Sequence, residues 1–394
     1  MKLVSSVQQL VADMTRWRHE LHAIPELGFE EARTAAFVAE TLRSFGLDVT
    51  EGVGGTGVVG TLRGRKGDGP SLGLRAELDA LPIHETRGLA HASKTPNRMH
   101  ACGHDGHMAM LLGAAKALSL SPDFSGVVHF IFQPAEEGLG GAKAMIADGL
   151  FDRFPCDEIY AAHNCERPLG AVEVHHGVVA ASADKFTIEL KGRGGHAAYP
   201  HLAANPLPAA AGLLLSLQSL PARINSAMQP AVVTVASIHA GEAFNVIPES
   251  VRMNGTVRAL DKDARAALEL AVRRQVEAHA QSESLEFTID YVSLFGVTAN
   301  HAAEADHVIA VAGEVAGREH VNVDPPAEMG SEDFCYMLDE RPGCYFLLGQ
   351  GDVQHAAAVH DPHYDFNDKL LPIGASLWVR LVEHRLGGSL AQAG

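Results

Sequence analysis

Between residues 186 and 292 the chain spells strand, helix, strand, strand, helix, strand, and this order constrains the fold more than any other feature of the sequence. The expected strands are 186–190, 231–238, 250–257 and 287–292. One helix opens near Pro206, and the other carries Leu268, Val272 and Val276 at four-residue spacing, the period of a single helical face. The β-α-β-β-α-β order is that of a ferredoxin-like unit of about 110 residues, small enough to be an inserted domain. We therefore expect an insert over 184–294 within a larger domain formed by 1–183 and 295–394, joined by two crossings that make a natural hinge.

The flanking segments read as α/β. Val7, Leu10, Val11, Met14, Trp17 and Leu21 make one helical stripe. Strands are expected at 57–62, 72–76, 127–132, 158–162 and 345–348, and helices at 31–45, 107–118, 142–148 and 373–384. These strands are continuous apolar runs rather than alternations, as in a sheet covered by helices on both faces. The glycine-rich stretch 52–60 lacks a phosphate-binding fingerprint followed by a helix, so it reads as turns between strands.

Composition narrows the function classes. The 394 residues, 46% apolar and 20% charged, suffice for two or three globular domains without staples. A net charge of −17 repels phosphate backbones and anionic lipid, which argues against nucleic acid and membrane partners. Five cysteines, odd in number and irregularly spaced, argue for a reducing compartment. With no secretory h-region and no long apolar span, the expected location is cytoplasmic.

The 22 histidines matter where they cluster. In MHACGHDGH, Cys102 and His104 can reach one ion, a thiolate and an imidazole suiting zinc or a similar metal. A nucleophilic Cys–His pair, or histidines satisfied in a turn, are the alternatives. In FQPAEE, Glu136 and Glu137 follow a buried run at the carboxyl end of a strand, where ligands bind in open α/β sheets. Asp79 and His163 fall at the corresponding ends of two other expected strands. VHDPHYDFND offers His360 and His363, between which position alone does not choose. The insert offers His196 and His201 in GRGGHAAYPH, Asn245 in GEAFNVIPES and Arg258 in GTVR.

Taken with RAELDALPI, MGSEDF and HAIPELGFEE, these strings resemble the hippurate hydrolase and indole-acetyl-amino-acid hydrolase family, dinuclear metallo-amidohydrolases related to aminoacylases and glutamate carboxypeptidases. The resemblance runs in order along essentially the whole chain. It implies metal ligation by Cys102, His104, Glu137, His163 and His360, with two divalent ions (manganese, zinc, cobalt or nickel). It also implies Glu136 as general base, Asp79 as support, an oxyanion-stabilising His196, often acting across a dimer, and Asn245 and Arg258 on the substrate. The implied partners are a small substrate carrying a carboxylate and a second copy of the chain. Three positions depart from the family pattern. Glu77 and Asn205 stand where Asp is usual, and Cys165 stands where an aromatic is common, so that it could reshape the pocket or add a soft ligand. Asn205 can cap a helix as Asp does, so little effect is expected there.

Overall fold

Parallel strands whose residues are almost all buried build the centre of the larger unit. The computed structural model describes residues 1–226 and 229–387. Its main sheet has eight strands in the order Asp48–Val53, Gly57–Arg63, Val127–Gln133, Ser71–Glu77, Glu158–Pro168, Gly343–Gly351, Val172–Val174 and Val321–Val323. Ser71–Glu77 runs parallel to both of its neighbours, and Glu158–Pro168 runs parallel to Gly343–Gly351, so the carboxyl ends of these strands share one edge. One apolar layer packs the helices Val11–His22, Ala32–Ser44, His104–Leu120, Ala302–Val315 and Leu371–Leu386 on the sheet. A second layer, including Ile131, Met145, Phe151, Met337 and Leu347, packs the shorter helices Gly141–Ala147, Leu150–Arg153 and Cys335–Glu340. The sheet is thus covered on both faces, which explains its unbroken apolar strands.

The smaller unit is an antiparallel sheet ordered Ala231–His239, Ser250–Ala259, Ser182–Lys191 and Glu286–Phe295, carrying the helices Pro206–Gln218 and Lys262–Ser282. Along Ser182–Lys191 alternate residues Phe186, Ile188 and Leu190 face a core with Leu213, Leu217, Leu268, Val272 and Val276. Both helices begin at a side-chain cap: Asn205 Oδ1 accepts the Leu207 N–H at 3.1 Å, and Asp261 Oδ1 accepts that of Ala264 at 2.8 Å. This is the ferredoxin-like arrangement expected from the element order.

Several details differ from the sequence expectations. The compact units are Met1–Val179, Ala299–Pro326 and the chain from Asp333, against Ala180–Thr298 with Ala327–Glu332. The chain therefore returns to the smaller unit once more than two crossings allow. The first helical stripe is broken into Ser5–Gln8 and Val11–His22, and Val11, the first residue after the break, is 36% exposed while Val7, Leu10 and Met14 are buried. Glu158–Pro168 continues past His163 because its parallel pairing with Gly343–Gly351 continues, so His163 lies within a strand rather than at its end. Of the glycine-rich stretch, Gly54 and Gly55 make the turn of a hairpin, while Gly57 and Gly60 lie inside its second strand.

Candidate metal centre

The first turn of the buried helix His104–Leu120 is where the donor cluster begins. Gly103 precedes it with φ 94°, a conformation glycine adopts without penalty, and a Cβ there would meet Asn164 Oδ1 at 2.2 Å. Only glycine lets the chain turn this tightly beneath the Glu158–Pro168 strand and bring Cys102 and His104 to one side. Cys102 Sγ lies 3.3 Å from His163 Nε2. Cys102, His104 and His163 offer ligand atoms all within 4.8 Å of one another, and so do Cys102, Glu137 and His360. The thiol is common to both sets. His104, Glu136 and Glu137 form a further set within the same limit, which places Glu136 beside the donors.

Backbone and side-chain contacts aim these groups. His104 Nδ1 is 2.8 Å from the Asp79 carbonyl oxygen and His163 Nδ1 is 2.8 Å from that of Asn164. Each ring thus donates its Nδ1–H to a carbonyl, which leaves Nε2 as the nitrogen that can meet a metal. Asp79 Oδ2 accepts the Glu137 N–H at 2.9 Å, so one residue orients two donors, His104 through its carbonyl and Glu137 through its carboxylate. His360 has φ 68°, its N–H donates to the Ala101 carbonyl at 2.7 Å, and its Nε2 lies 3.3 Å from Glu137 Oε1. His363 instead pairs with Asp361 at 3.0 Å and stays outside the cluster.

The electrostatics fit a cation. His104 Nε2, Glu137 Oε1 and Asp79 Oδ1 are buried without a hydrogen-bond partner, although each of the two oxygens lies 3.3 Å from a histidine nitrogen, and a cation among them would relieve the cost of burying them. Burial and the carboxylates of Glu137, Glu136 and Glu77 push the Cys102 thiol well above its ordinary value. Such a thiol is a poor nucleophile, whereas a bound cation would favour its thiolate. Burial disfavours the charged His104 imidazole, but Asp79 and Glu77 outweigh it and push its pKa up to about 10, so the ring holds a proton that a cation binding at Nε2 would displace. Burial, with His107 beside it, drives His163 down to about 3, keeping it neutral as a ligand must be.

Behind the donors lies a network the sequence reading did not assign. His107, one turn after His104, has Nδ1 2.8 Å from Glu77 and Nε2 2.7 Å from Asn164 Oδ1, so both of its nitrogens are used. Glu77 also pairs with Arg75, and Arg75 bonds Gln133 at 2.8 Å and Asp333 at 3.0 Å. Burial opposes ionisation of Glu77, yet Arg75 and His107 hold its carboxyl well below the usual range. The three-residue spacing of His104 and His107 was the available clue, since it puts both on one helix face. Cys165 packs against the apolar layer containing Ile159 and Leu347, and among the described residues it joins no donor set.

The remaining candidates belong to the smaller unit. His196 and Asn245 are brought together by a short ladder in which His196 pairs with Val246, and the Ala197 N–H donates to the Asn245 carbonyl at 3.0 Å. Both side chains are exposed. Arg258 lies on the strand Ser250–Ala259, half-buried. Its guanidinium donates to the Thr256 hydroxyl and to the Val257 carbonyl; Asp184 acts on it electrostatically, but among the described residues no carboxylate is hydrogen-bonded to it. Burial lowers its pKa. His201 sits in the exposed turn Pro200–Leu202.

Comparison with known proteins agrees with this chemistry. The chain matches peptidase family M20/M25/M40 over residues 73–384. It is 40% identical to hippurate hydrolase of Campylobacter jejuni over 385 residues, covering 97% of this chain and 98% of that one. It is 35% identical to thermostable carboxypeptidase 2 of Saccharolobus solfataricus over 387 residues, with 95% and 97% covered. Among solved structures, the YXEP protein of Bacillus subtilis, described as a dinuclear metal binding peptidase from the M20 family, superposes with a TM-score of 0.82. That pair is 29% identical, with 95% and 98% covered.

Proposed function

The chain belongs to peptidase family M20/M25/M40, among its amidohydrolases of the hippurate hydrolase and indole-acetyl-amino-acid hydrolase type, and on that premise we propose that it splits N-acyl or N-aroyl amino acids into a carboxylic acid and a free amino acid. One observation carries the reading. Two three-donor sets share Cys102, and Glu136 stands next to the donor Glu137. Cys102, His104 and His163 would hold one divalent ion, and Cys102, Glu137 and His360 the other. Such ions supply a water of lowered pKa and polarise the scissile carbonyl.

The chain's own groups do the rest. The Glu136 carboxylate takes a proton from the attacking water and delivers it to the leaving nitrogen, and its place beside Glu137 keeps it in reach. His196 donates a hydrogen bond to the developing oxyanion. Asn245 and Arg258 hold the substrate, Arg258 through two parallel bonds to its free carboxylate. The acidic surface does not forbid an anionic substrate, because charges beyond a Debye length of about 8 Å are largely screened.

A second copy of the chain is the proposed macromolecular partner. The strand Ala231–His239 is a sheet edge with exposed Val232 and Ile238, and the helix Pro206–Gln218 exposes Leu207 and Leu215. Such an edge is a template for pairing with an identical chain. Among the described residues no helix is long and apolar enough to cross a membrane.

The similarity to a carboxypeptidase supports a second reading, in which the same centre cleaves peptides. A panel of benzoyl- and acetyl-amino acids and dipeptides, run with added manganese, zinc or cobalt, separates the two. Faster turnover of acyl-amino acids is expected; faster turnover of dipeptides would select the peptidase reading, and no turnover of either would leave a binding protein.

A further inference from the structure

We infer that Glu31 is a positioning residue for Glu136, acting through the backbone of Ala135. The inference rests on Glu136 being the proton-transfer group. Ala135, immediately before it, has φ 53°, the left-handed region that an L-residue with a Cβ adopts only when its surroundings hold it there. Two contacts hold it. Its N–H donates to Glu31 Oε1 at 2.9 Å, and its carbonyl accepts the Gly141 N–H at 3.0 Å. Glu31 and Ala135 are both fully buried, 104 residues apart in sequence.

Glu31 is itself fixed. Its second oxygen accepts the Thr56 hydroxyl at 2.5 Å, and its carbonyl accepts the Ala35 N–H at 2.8 Å as the following helix begins. Gly28, three residues earlier, backs directly onto the same place: a Cβ there would come within 3.0 Å of Ala135 Cα. A buried carboxylate in the first hundred residues thus stabilises an uncommon backbone conformation at the residue immediately before Glu136, where a change of backbone re-aims its side chain. If Ala135 relaxed toward the right-handed region, Glu136 would be re-aimed, and a displacement of about 1 Å in a reacting group can cost about 10²-fold in rate.

The test uses the metal-loaded enzyme. Glu31→Asp keeps a carboxylate but shortens its reach, and should lower kcat roughly 10- to 100-fold while KM and bound metal stay near wild type. Glu31→Gln can still accept the Ala135 N–H while donating to Thr56, and should restore most of the rate. The decisive readout is the pair in combination: Glu31→Asp should cost nothing further once Glu136→Gln is present, because its effect passes through that carboxylate. Wild-type kcat in Glu31→Asp would overturn the inference, and so would an undiminished loss on the Glu136→Gln background, which would mean a general structural role. Glu136→Gln at the wild-type rate would instead overturn the assignment of Glu136 itself, whatever the Glu31 variants do.

Discussion

At the scale of single residues, adjacent glutamates with different jobs are the most specific feature of the centre. Glu137 has a buried oxygen without a hydrogen-bond partner, an N–H tied to Asp79, and a contact to His360. Burial works against its charged form, but His360 and His104 hold its pKa down, so it is a carboxylate ready for a cation. Glu136→Gln should keep near-normal metal content while lowering kcat by roughly 10²- to 10⁴-fold, the range for a positioned general base. Glu137→Gln should lose metal. Metal analysis of the two variants checks this, and the opposite pattern would exchange the roles. Arg258 offers a second test. With no carboxylate hydrogen-bonded to it, its guanidinium can take one from the substrate, so Arg258→Ala should cost about 2–5 kcal/mol in transition-state binding of acyl-amino acids. The matching amides, which bring no charge, should lose much less; equal losses in kcat/KM would mean that Arg258 only supports its strand.

At the scale of elements, the helix His104–Leu120 must start at a fixed height for Cys102 and His104 to meet His163 and Glu137. Its first turn is pinned from the helix Val11–His22: His22 Nδ1 lies 2.9 Å from Asp105, and Arg18 bonds Asp105 at 3.3 Å and Asp365 at 3.0 Å. Burial opposes the charged His22, but Asp105 and Glu85 outweigh it and push its pKa up to about 9 from 6.5. A pKa raised by folding contributes stability that is complete below pH 6.5 and lost as pH rises through about 9. The melting temperature of His22→Gln should therefore trail wild type most at pH 6 and converge on it near pH 10. A gap independent of pH would show that His22 does not carry charge in the folded state. None of these pairings is legible in the sequence, because His22, Asp105 and Asp365 are joined only by tertiary packing. The elements themselves are legible, since periodicity reports which face is buried: Leu268, Val272 and Val276 mark a helix face, and Phe186, Ile188 and Leu190 a strand face. Limits are less so; nothing local in the sequence tells that the strand holding His163 runs on to Pro168.

At the scale of the molecule, the chain draws one centre from five stretches of sequence, around residues 79, 102–107, 136–137, 163 and 360, through the parallel strands of a mixed sheet whose carboxyl ends share an edge. Cys102, His104, Glu136 and Glu137 stand out in dense local motifs, whereas His360 is told from His363 by the family resemblance and by its contact with Glu137, not by its own motif. The groups that aim them do not stand out: the Asp79 carbonyl on His104, the Ala101 carbonyl on the His360 N–H and the left-handed Ala135 are backbone features that leave no compositional mark. The central claim is that this centre is a metal-dependent amide hydrolase of acyl-amino acids. The direct measurement is to strip the protein exhaustively with a chelator, titrate manganese or zinc back, and follow glycine released from benzoylglycine together with metal bound per chain. Activity should vanish on stripping and return with the titration, levelling as the second ion per chain is taken up. Undiminished release of glycine by protein shown to be metal-free would contradict the account.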